Sequence, residues 1–445
     1  MKVFKFGGAS VKSAEAVRNL AVILENYTET DLVVVVSAMG KTTSALEALV
    51  QMYYENWFEG AFTKTNYSSV IAEKEAENTK FLAASAEKLS SLQTKFDEIK
   101  NYHYDIVNQL FVEENELLNN ELSRQFDEIK LVIEKPAEKN FNKLYDAIIS
   151  KGELISTLIV SRYLEFSGIS NQWLDVRKLI VTDSYYREAN VNLPKTAENI
   201  AAAIQFNKTK LYVTQGFLGA DTQGNTTTLG REGSDYTAAI FAYSLNAESL
   251  TVWKDVAGVY NADPKRFPDA VLLKCLSYGE AVDQTYFGAT VIHPKTLKPI
   301  QNKKIPLFVR SFVDPEAPGT KIADSDQYDK KVPVYISKSN QMLISLSPTD
   351  FSFVSEENLS LIFAMLSKYR ISVNLMQAAA VNFTVCVDNN PNKLVGFLNE
   401  VSKKYSVKYN ENLELLTVRH YTSEVIDRVL TNRELLVEQR NRETV

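Results

Sequence analysis

Apolar and polar positions change rhythm several times along this chain, and each rhythm predicts an element. Lys2–Phe6 reads as a short strand, Gly7-Gly8 interrupts it, and Ser13 to Tyr27 then sets Val17, Leu20, Ala21 and Leu24 on one face of a helix. Leu32–Val36 (LVVVV) is an unbroken apolar run, as expected of a central parallel strand buried on both faces. Strand, helix and strand in that order predict an α/β sheet with right-handed crossovers. From about 44 to 150 glycine nearly vanishes and apolar residues recur at three and four (Phe96, Ile99, Tyr102, Ile106, Leu110), which predicts several amphipathic helices packed on the sheet. Alternation resumes with the helix Glu153–Phe166, the segment Ser170–Leu174, the strand Lys210–Gln215, the helix Asp235–Leu245 and the strand Ser249–Lys254.

Asp314–Thr320 (DPEAPGT), followed by polar Asp324–Lys331, has the composition of a linker. Beyond it the pattern predicts strand Met342–Leu346, helix Glu357–Lys368, strands Val373–Gln377 and Phe383–Val387, and helix Asn392–Val401. Leu413–His420 would complete a β-α-β-β-α-β ferredoxin-like α+β unit. Ser423 to Val445 holds one helix and a polar stretch, too short for a second full copy. The expected domains are therefore 1–320 and 335–445.

Composition narrows the classes. Hydrophobic residues are 45% and charged residues 23%, which excludes wholesale disorder. Lys and Arg number 49 against 55 Asp and Glu, a net charge of −6 that disfavours a nucleic-acid partner. Cys275 and Cys386 are too few for a disulfide framework or a zinc site and read as small buried hydrophobes. His103, His293 and His420 lie too far apart in sequence to suggest a histidine metal centre, and His293, in an HP dipeptide, reads as a structural cap. No apolar signal core follows the basic start, and the longest apolar run falls well short of the roughly 20 residues a membrane helix needs. A cytoplasmic soluble protein without a membrane partner is expected.

Candidate chemistry gathers at strand ends. Leu32–Val36 followed by Gly40-Lys41-Thr42 imitates a P-loop, but Val35 occupies the place of its first glycine, so the phosphate nest cannot form. Lys5-Phe6-Gly7-Gly8-Ala9-Ser10 pairs a strand-end lysine with glycines that let the backbone approach a phosphate. Gly216–Ser234 (GFLGADTQGNTTTLGREGS) ends at a helix mouth, where Ser234 is the expected N-cap and Arg231 sits just outside. Lys254-Asp255 follow a third strand, at the carboxyl end where open α/β sheets bind ligands. Three glycine-bearing turns at strand ends, each with cations, suit the phosphates of a nucleotide.

Together these clusters resemble the aspartate kinases of the amino-acid kinase family. The resemblance rests on KFGGAS, Gly152-Glu153-Leu154-Ile155-Ser156-Thr157, Trp173–Arg177, TTTLGREGSDYTAA, WKDVAGVYNADP and FGATVIHPKTLKP in that order. It spans about 1–320, with a weaker match to the family's ACT-type regulatory region beyond. It implies a three-layer αβα kinase sheet, a C-terminal ferredoxin-like (ACT) α+β region with its second ACT unit incomplete, and a homo-oligomer paired through ACT units. It implies ATP-dependent phosphorylation of L-aspartate with Mg²⁺; the other readings are a kinase of another small carboxylate and an inert amino-acid sensor. Carried over by residue, Lys5 and Asp235 would be catalytic, and Thr43, Glu153, Arg231 and Ser234 would hold aspartate. Lys5, Gly7, Gly8, Ser10, Lys254, Asp255, Tyr260, Lys265 and Thr290 would line the nucleotide. Lys5, at a strand end, is expected outside the core.

Several positions depart from the family pattern. Ala9 replaces a hydroxyl residue, Lys254 a threonine, Lys265 an arginine and Thr290 a lysine. In lysine-inhibited relatives a Ser-Glu pair follows the strand after the first ACT helix, where this chain has Ala379-Ala380, and Glu357-Asn358 stands for a glycine-aromatic pair. Lysine feedback at that site is therefore not expected, since a charged hydrogen bond worth roughly 1.5–3 kcal/mol is lost.

Overall fold

The computed structural model describes residues 1–64, 75–113, 115–134, 140–289, 292–325, 332–350 and 352–445, with side chains except at 56–64 and 75–89. The chain forms two compact units that do not follow chain order. Met1–Val259, Leu273–Tyr278 and Ile292–Ser325 make the first; Tyr260–Leu272, Gly279–Val291 and Asp326–Val445 make the second.

The strands of the first unit are β1 (Lys2–Phe6), β2 (Leu32–Val36), β3 (Gln172–Leu174), β4 (Val181–Thr182), β5 (Leu211–Gln215), β6 (Leu218–Asp221), β7 (Thr226–Thr228), β8 (Ser249–Lys254), β9 (Cys275–Ser277), β10 (Leu307–Ser311) and β11 (Thr320–Ala323). Eight of them form one sheet in the order β3-β5-β2-β1-β8-β10-β11-β9, and β4, β6 and β7 form a small second sheet. β1 lies between β2 and β8, parallel to both, with Lys5 opposite Val35 and Val252. The chain reaches β2 on one side of β1 and β8 on the other, so the carboxyl end of β1 is a topological switch point, the place where such sheets open a crevice.

Helices of this unit are α1 (Ala14–Glu25), α2 (Thr42–Lys64), α3 (Glu75–Leu110), α4 (Glu116–Ile133), α5 (Phe141–Phe166), α6 (Leu193–Ala203) and α7 (Gly233–Ser244). The predicted helical stretch packs on the sheet: Leu46, Phe96, Ile99, Phe126 and Ile149 share one buried cluster with Phe4, Val34, Val36 and Leu211. Phe6 stacks on Trp253 at 5.8 Å, and Phe4 meets Tyr27 edge-on at 4.7 Å. α5 starts well before the predicted Glu153, capped by the Asn140 side chain. Gly152, a poor helix former, hides this continuity in the sequence. It is tolerated because a Cβ there would press on Ala38, Thr42 and Leu46 at 3.2–3.3 Å.

The expected linker at Asp314–Thr320 is instead the turn between β10 and β11, an antiparallel pair inside the large sheet. The turn composition was real, but burial of Thr320 makes it a hairpin: its Oγ1 accepts from Val259 N at 2.8 Å and donates to Leu273 O at 2.6 Å. α8 (Tyr278–Phe287) leads out of this unit, and α9 (Pro294–Asn302) returns to it, N-capped by His293 as predicted.

The second unit carries β12 (Val334–Pro348), α10 (Glu356–Lys368), β13 (Val373–Ala378), β14 (Phe383–Asp388), α11 (Pro391–Val401), β15 (Tyr405–Arg419) and α12 (Ser423–Leu430). Its antiparallel sheet, ordered β13-β14-β12-β15, is the ferredoxin-like arrangement read from the sequence. Ile344, Leu346, Ile362, Val385 and Phe397 form its core. β12 and β15 are far longer than their predicted counterparts. Their extra lengths pair Val334–Lys338 with Leu415–Arg419, and the chain end joins them. Val418 and Val445 exchange backbone hydrogen bonds of 2.7 and 2.9 Å, and Arg419 forms an isolated bridge with Thr444, so the last residues lie along the end of β15. Arg419 locks this region to α8 through two hydrogen bonds to buried Glu280, of 3.0 and 2.8 Å. Among the described residues no helix is long and apolar enough to cross a membrane.

Candidate active site

At the switch point, three of the expected side chains meet. Lys5 is the last residue but one of β1, Lys254 ends β8, and Asp235 lies in the first turn of α7. Lys5 Nζ stands 2.7 Å from Asp235 Oδ1, and Lys254 Nζ stands 3.7 Å from Oδ2. Lys5, expected outside the core, is only 8% exposed, because parallel neighbours on both sides of β1 enclose its stem. Burial pushes the Asp235 carboxyl up, but the two lysines outweigh it and hold the group below the usual carboxylate range. Two cations around one buried carboxylate leave an excess positive charge facing the crevice, which suits a polyanion.

Backbone crowding shapes the rest. A Cβ on Gly8 would lie 2.7 Å from Gly40 O and 2.9 Å from Ala38 O, so the β1 and β2 loops are in direct contact, and Gly40 N donates to Gly8 O at 3.0 Å. Ser10 Oγ in this turn is buried without a hydrogen-bond partner. A Cβ on Gly216 would collide with Ser234, so the β5 loop seats directly on the start of α7. That helix begins at Gly233, and Ser234 is its second residue, not its N-cap. Glu232 holds the cap position at φ 54°, following Gly230 at φ 77°, and this left-handed turn brings two more residues, Gly233 and Ser234, into the helix than the serine signal suggests.

Glu153 sits in mid-α5, fully buried, with Oε2 unpartnered. Burial pushes its carboxyl up to about 8, against hydrogen bonding from its own and the Ala38 backbone N–H. Thr157, one turn on, accepts from Gln215 Nε2 at 2.8 Å and Trp173 Nε1 at 3.0 Å while donating to Glu153 O at 2.9 Å. Asp146, two turns before Glu153, was missed from the sequence. It accepts from Thr228 N and Oγ1 at 2.9 and 2.7 Å and from Arg187 N at 3.0 Å, anchoring the strand that leads to Arg231. Its place on the same helical face as Glu153 was the available signal.

Thr43 is half-buried in the first turn of α2, and Arg231 is exposed on the turn before α7. Asp255 is exposed just past β8. Tyr260 and Lys265 belong to the second unit, where Tyr260 bridges Leu272. Thr290 lies outside the described residues. Cys386 is buried, with its thiol pushed up to about 11 by burial, and Cys275 is half-buried. Among the described residues no group of three or more His, Cys, Asp or Glu side chains could hold a metal ion.

Residues 1–311 match the model of the amino acid kinase family. The chain belongs to that family. It is 32% identical over 364 residues to lysine-sensitive aspartokinase 3 of Escherichia coli (strain K12), a span of 79% of this chain and 80% of that protein. It is 29% identical over 420 residues to bifunctional aspartokinase/homoserine dehydrogenase 2, chloroplastic, of Arabidopsis thaliana, covering 93% of this chain but 42% of that longer protein. The crystal structure of E. coli aspartokinase III in complex with aspartate and ADP (R-state) matches with a TM-score of 0.77 at 27% identity, over 100% of this chain and 95% of that one. Within the amino acid kinase family, then, its similarity is to aspartokinases.

In this amino acid kinase the lysine-flanked carboxylate has a structural consequence. Lys5→Met should lower unfolding stability at pH 7 by on the order of 3 kcal/mol, because Asp235 keeps only its more distant cation. Asp235 is depressed, so its contribution is present above the ordinary carboxyl range and lost as pH falls through its folded value. The gap between variant and wild type should therefore narrow in acid. Urea unfolding at pH 7 and at about pH 2, below the ordinary aspartate range, checks this; a gap that stays the same between them would remove Lys5 from the pair.

Proposed function

We propose that the protein is an aspartate kinase that transfers the γ-phosphoryl group of ATP to the side-chain carboxylate of L-aspartate, giving 4-phospho-L-aspartate and ADP as the first step toward lysine, threonine and methionine. The observation that carries the reading is the buried Asp235 held between Lys5 and Lys254 at the switch point. In the reaction an oxygen of the ionised substrate carboxylate attacks the γ-phosphorus, and the bond from that phosphorus to the bridging oxygen breaks as ADP departs. No base is required, because the attacking carboxylate is already ionised at pH 7. Positioning and cationic stabilisation carry such a transfer.

Each residue then has a task. Lys5 and Lys254 stabilise the charge that builds on the transferred group, and Asp235 keeps both ammonium groups aimed. The unpartnered Ser10 hydroxyl, with Gly7 and Gly8, meets phosphate oxygens. Asp255, Tyr260, Lys265 and Thr290 serve the nucleotide. On the aspartate side, Glu153 takes the α-ammonium, Arg231 a carboxylate, and Thr43 and Ser234 supply hydroxyls. Mg²⁺ fits as a cation brought in on the phosphates of ATP, with Asp235 the nearby carboxylate, since the described residues build no cage of their own. Bound there, it neutralises phosphate charge.

Regulation is read from the second unit. We take it as an ACT-type region through which copies of the chain pair, β13 being one edge of its sheet. Ala379-Ala380 follow that strand with no polar side chain, while Asn358 is engaged by Tyr405 Oη at 2.8 Å. Lysine alone at millimolar concentration should leave the initial rate unchanged, and an inhibition constant below about 1 mM, or ~4 kcal/mol of binding, would reverse this reading.

ADP release across amino acids tests the activity. Aspartate should be preferred over glutamate on the order of 100-fold in kcat/KM, since one methylene displaces the reacting carboxylate by about 1 Å. Comparable rates would end the assignment of Glu153 and Arg231. Glu153 also predicts a pH dependence. Its carboxyl titrates near 8 in the free protein, so the protonated form favours the fold below the ordinary carboxyl range, and that preference is lost as pH rises through about 8. Aspartate must displace that proton to bind. Its KM should fall between pH 6 and 8, by up to about tenfold per unit. In Glu153→Gln the KM should be higher and flat with pH, which steady-state kinetics across that range would show.

A further inference from the structure

We propose that Tyr102 and His103, adjacent on α3, are positioning residues whose polar bonds brace the two touching loops of the active centre, one bond to each loop. His103 holds the aspartate-side turn through Thr42, and Tyr102 holds the nucleotide-side turn through Lys12. The proposal rests on the aspartate-kinase reading and goes beyond it, since neither residue belongs to a motif of the resemblance.

The His103 ring is fully buried, with Nδ1 2.7 Å from Ile99 O and Nε2 3.2 Å from Thr42 Oγ1. A carbonyl can only accept, so Nδ1 carries the proton and Nε2 accepts from the Thr42 hydroxyl. Burial pushes this imidazole down to about 4, which keeps it neutral, and the hydrogen bond intact, at any pH near 7. Thr42 is buried, opens α2, and is covalently next to Thr43, so the bond fixes the turn that presents Thr43 and the Ala38 N–H to the Glu153 side of the crevice.

Tyr102 works on the other loop. Its hydroxyl donates to Lys12 O at 2.7 Å, at the end of the 3-10 turn Gly8–Val11 that contains Ser10. The same oxygen would lie 2.6 Å from a Cβ on Gly40, a residue already in the left-handed region at φ 54°. The two rings meet edge-on at 5.0 Å, and His103 lies 5.9 Å from Phe126 in the helical core. Two consecutive residues of one rooted helix thus end in polar bonds on two different loops. Space filling alone would need neither hydroxyl.

Steady-state ADP release by the full chain, varying each substrate, separates the two roles. Thr42→Val should raise the aspartate KM about fivefold, the net worth of one hydrogen bond, with the ATP KM held within about twofold. Thr42→Ser should restore it. Tyr102→Phe should do the reverse, raising the ATP KM and sparing that of aspartate. Where Thr42→Val does not yield folded protein, Thr42→Ala removes the same hydroxyl and is read the same way. Both KM values rising together with a lowered melting temperature, or an aspartate KM unmoved in folded Thr42→Val, overturns the brace while leaving the kinase assignment standing. A wild-type chain with no aspartate-dependent ADP release overturns the kinase reading, and the brace with it.

Discussion

A carboxylate removed from water costs several kcal/mol unless cations and hydrogen bonds replace its hydration. Asp235 meets that requirement with Lys5 and Lys254, drawn from two neighbouring parallel strands. The constraint runs both ways. Lys5 could not be buried this deeply without the aspartate, and the aspartate could not stay ionised without its cations. Because the three belong to β1, β8 and α7, the ion cluster dictates how the helix start meets the strand ends. Everything else at the crevice is arranged around that point.

Close backbone approach is the second constraint, and it follows from the first. To bring loops within reach of the lysines, Gly8 lies against the Ala38 and Gly40 carbonyls, and Gly216 lies against Ser234. A side chain at either place would push a loop outward. Glu153 shows the opposite strategy. It is held deep in α5 without a cation, so burial raises its carboxyl to about 8. One acid of the site is thus kept charged by neighbours and the other kept neutral by burial.

The second unit obeys a separate logic. Its ferredoxin-like core stands on the apolar faces of β12, β14, α10 and α11, while the long outer part of β15 is bridged by the last residues of the chain. Glu280 and Arg419 supply the buried ion pair there, at hydrogen-bond distances that satisfy both partners. Such pairs set register more than they add stability, because desolvation offsets much of their attraction.

Strand and helix periods, glycine pairs after strands and the order of the motifs were all local properties, and they determined the α/β class, the ferredoxin-like unit and which residues became candidates for the site. Local patterns are visible because each depends on residues a few positions apart. What they misjudged depended on distant partners. Asp314–Thr320 has a linker's composition, yet Thr320 is claimed by Val259 and Leu273 and becomes a sheet hairpin. Ser234 looks like a cap, but a left-handed Glu232 shifts the helix start. Lys5 stands at a strand end and is buried all the same, because β2 and β8 flank it. Asp146, Tyr102 and His103 carry no motif, and only packing shows which loops they hold. Residue types and short spacings lie within the sequence, whereas burial and the pairing of charges far apart in the chain exist only once the sheet has brought them together.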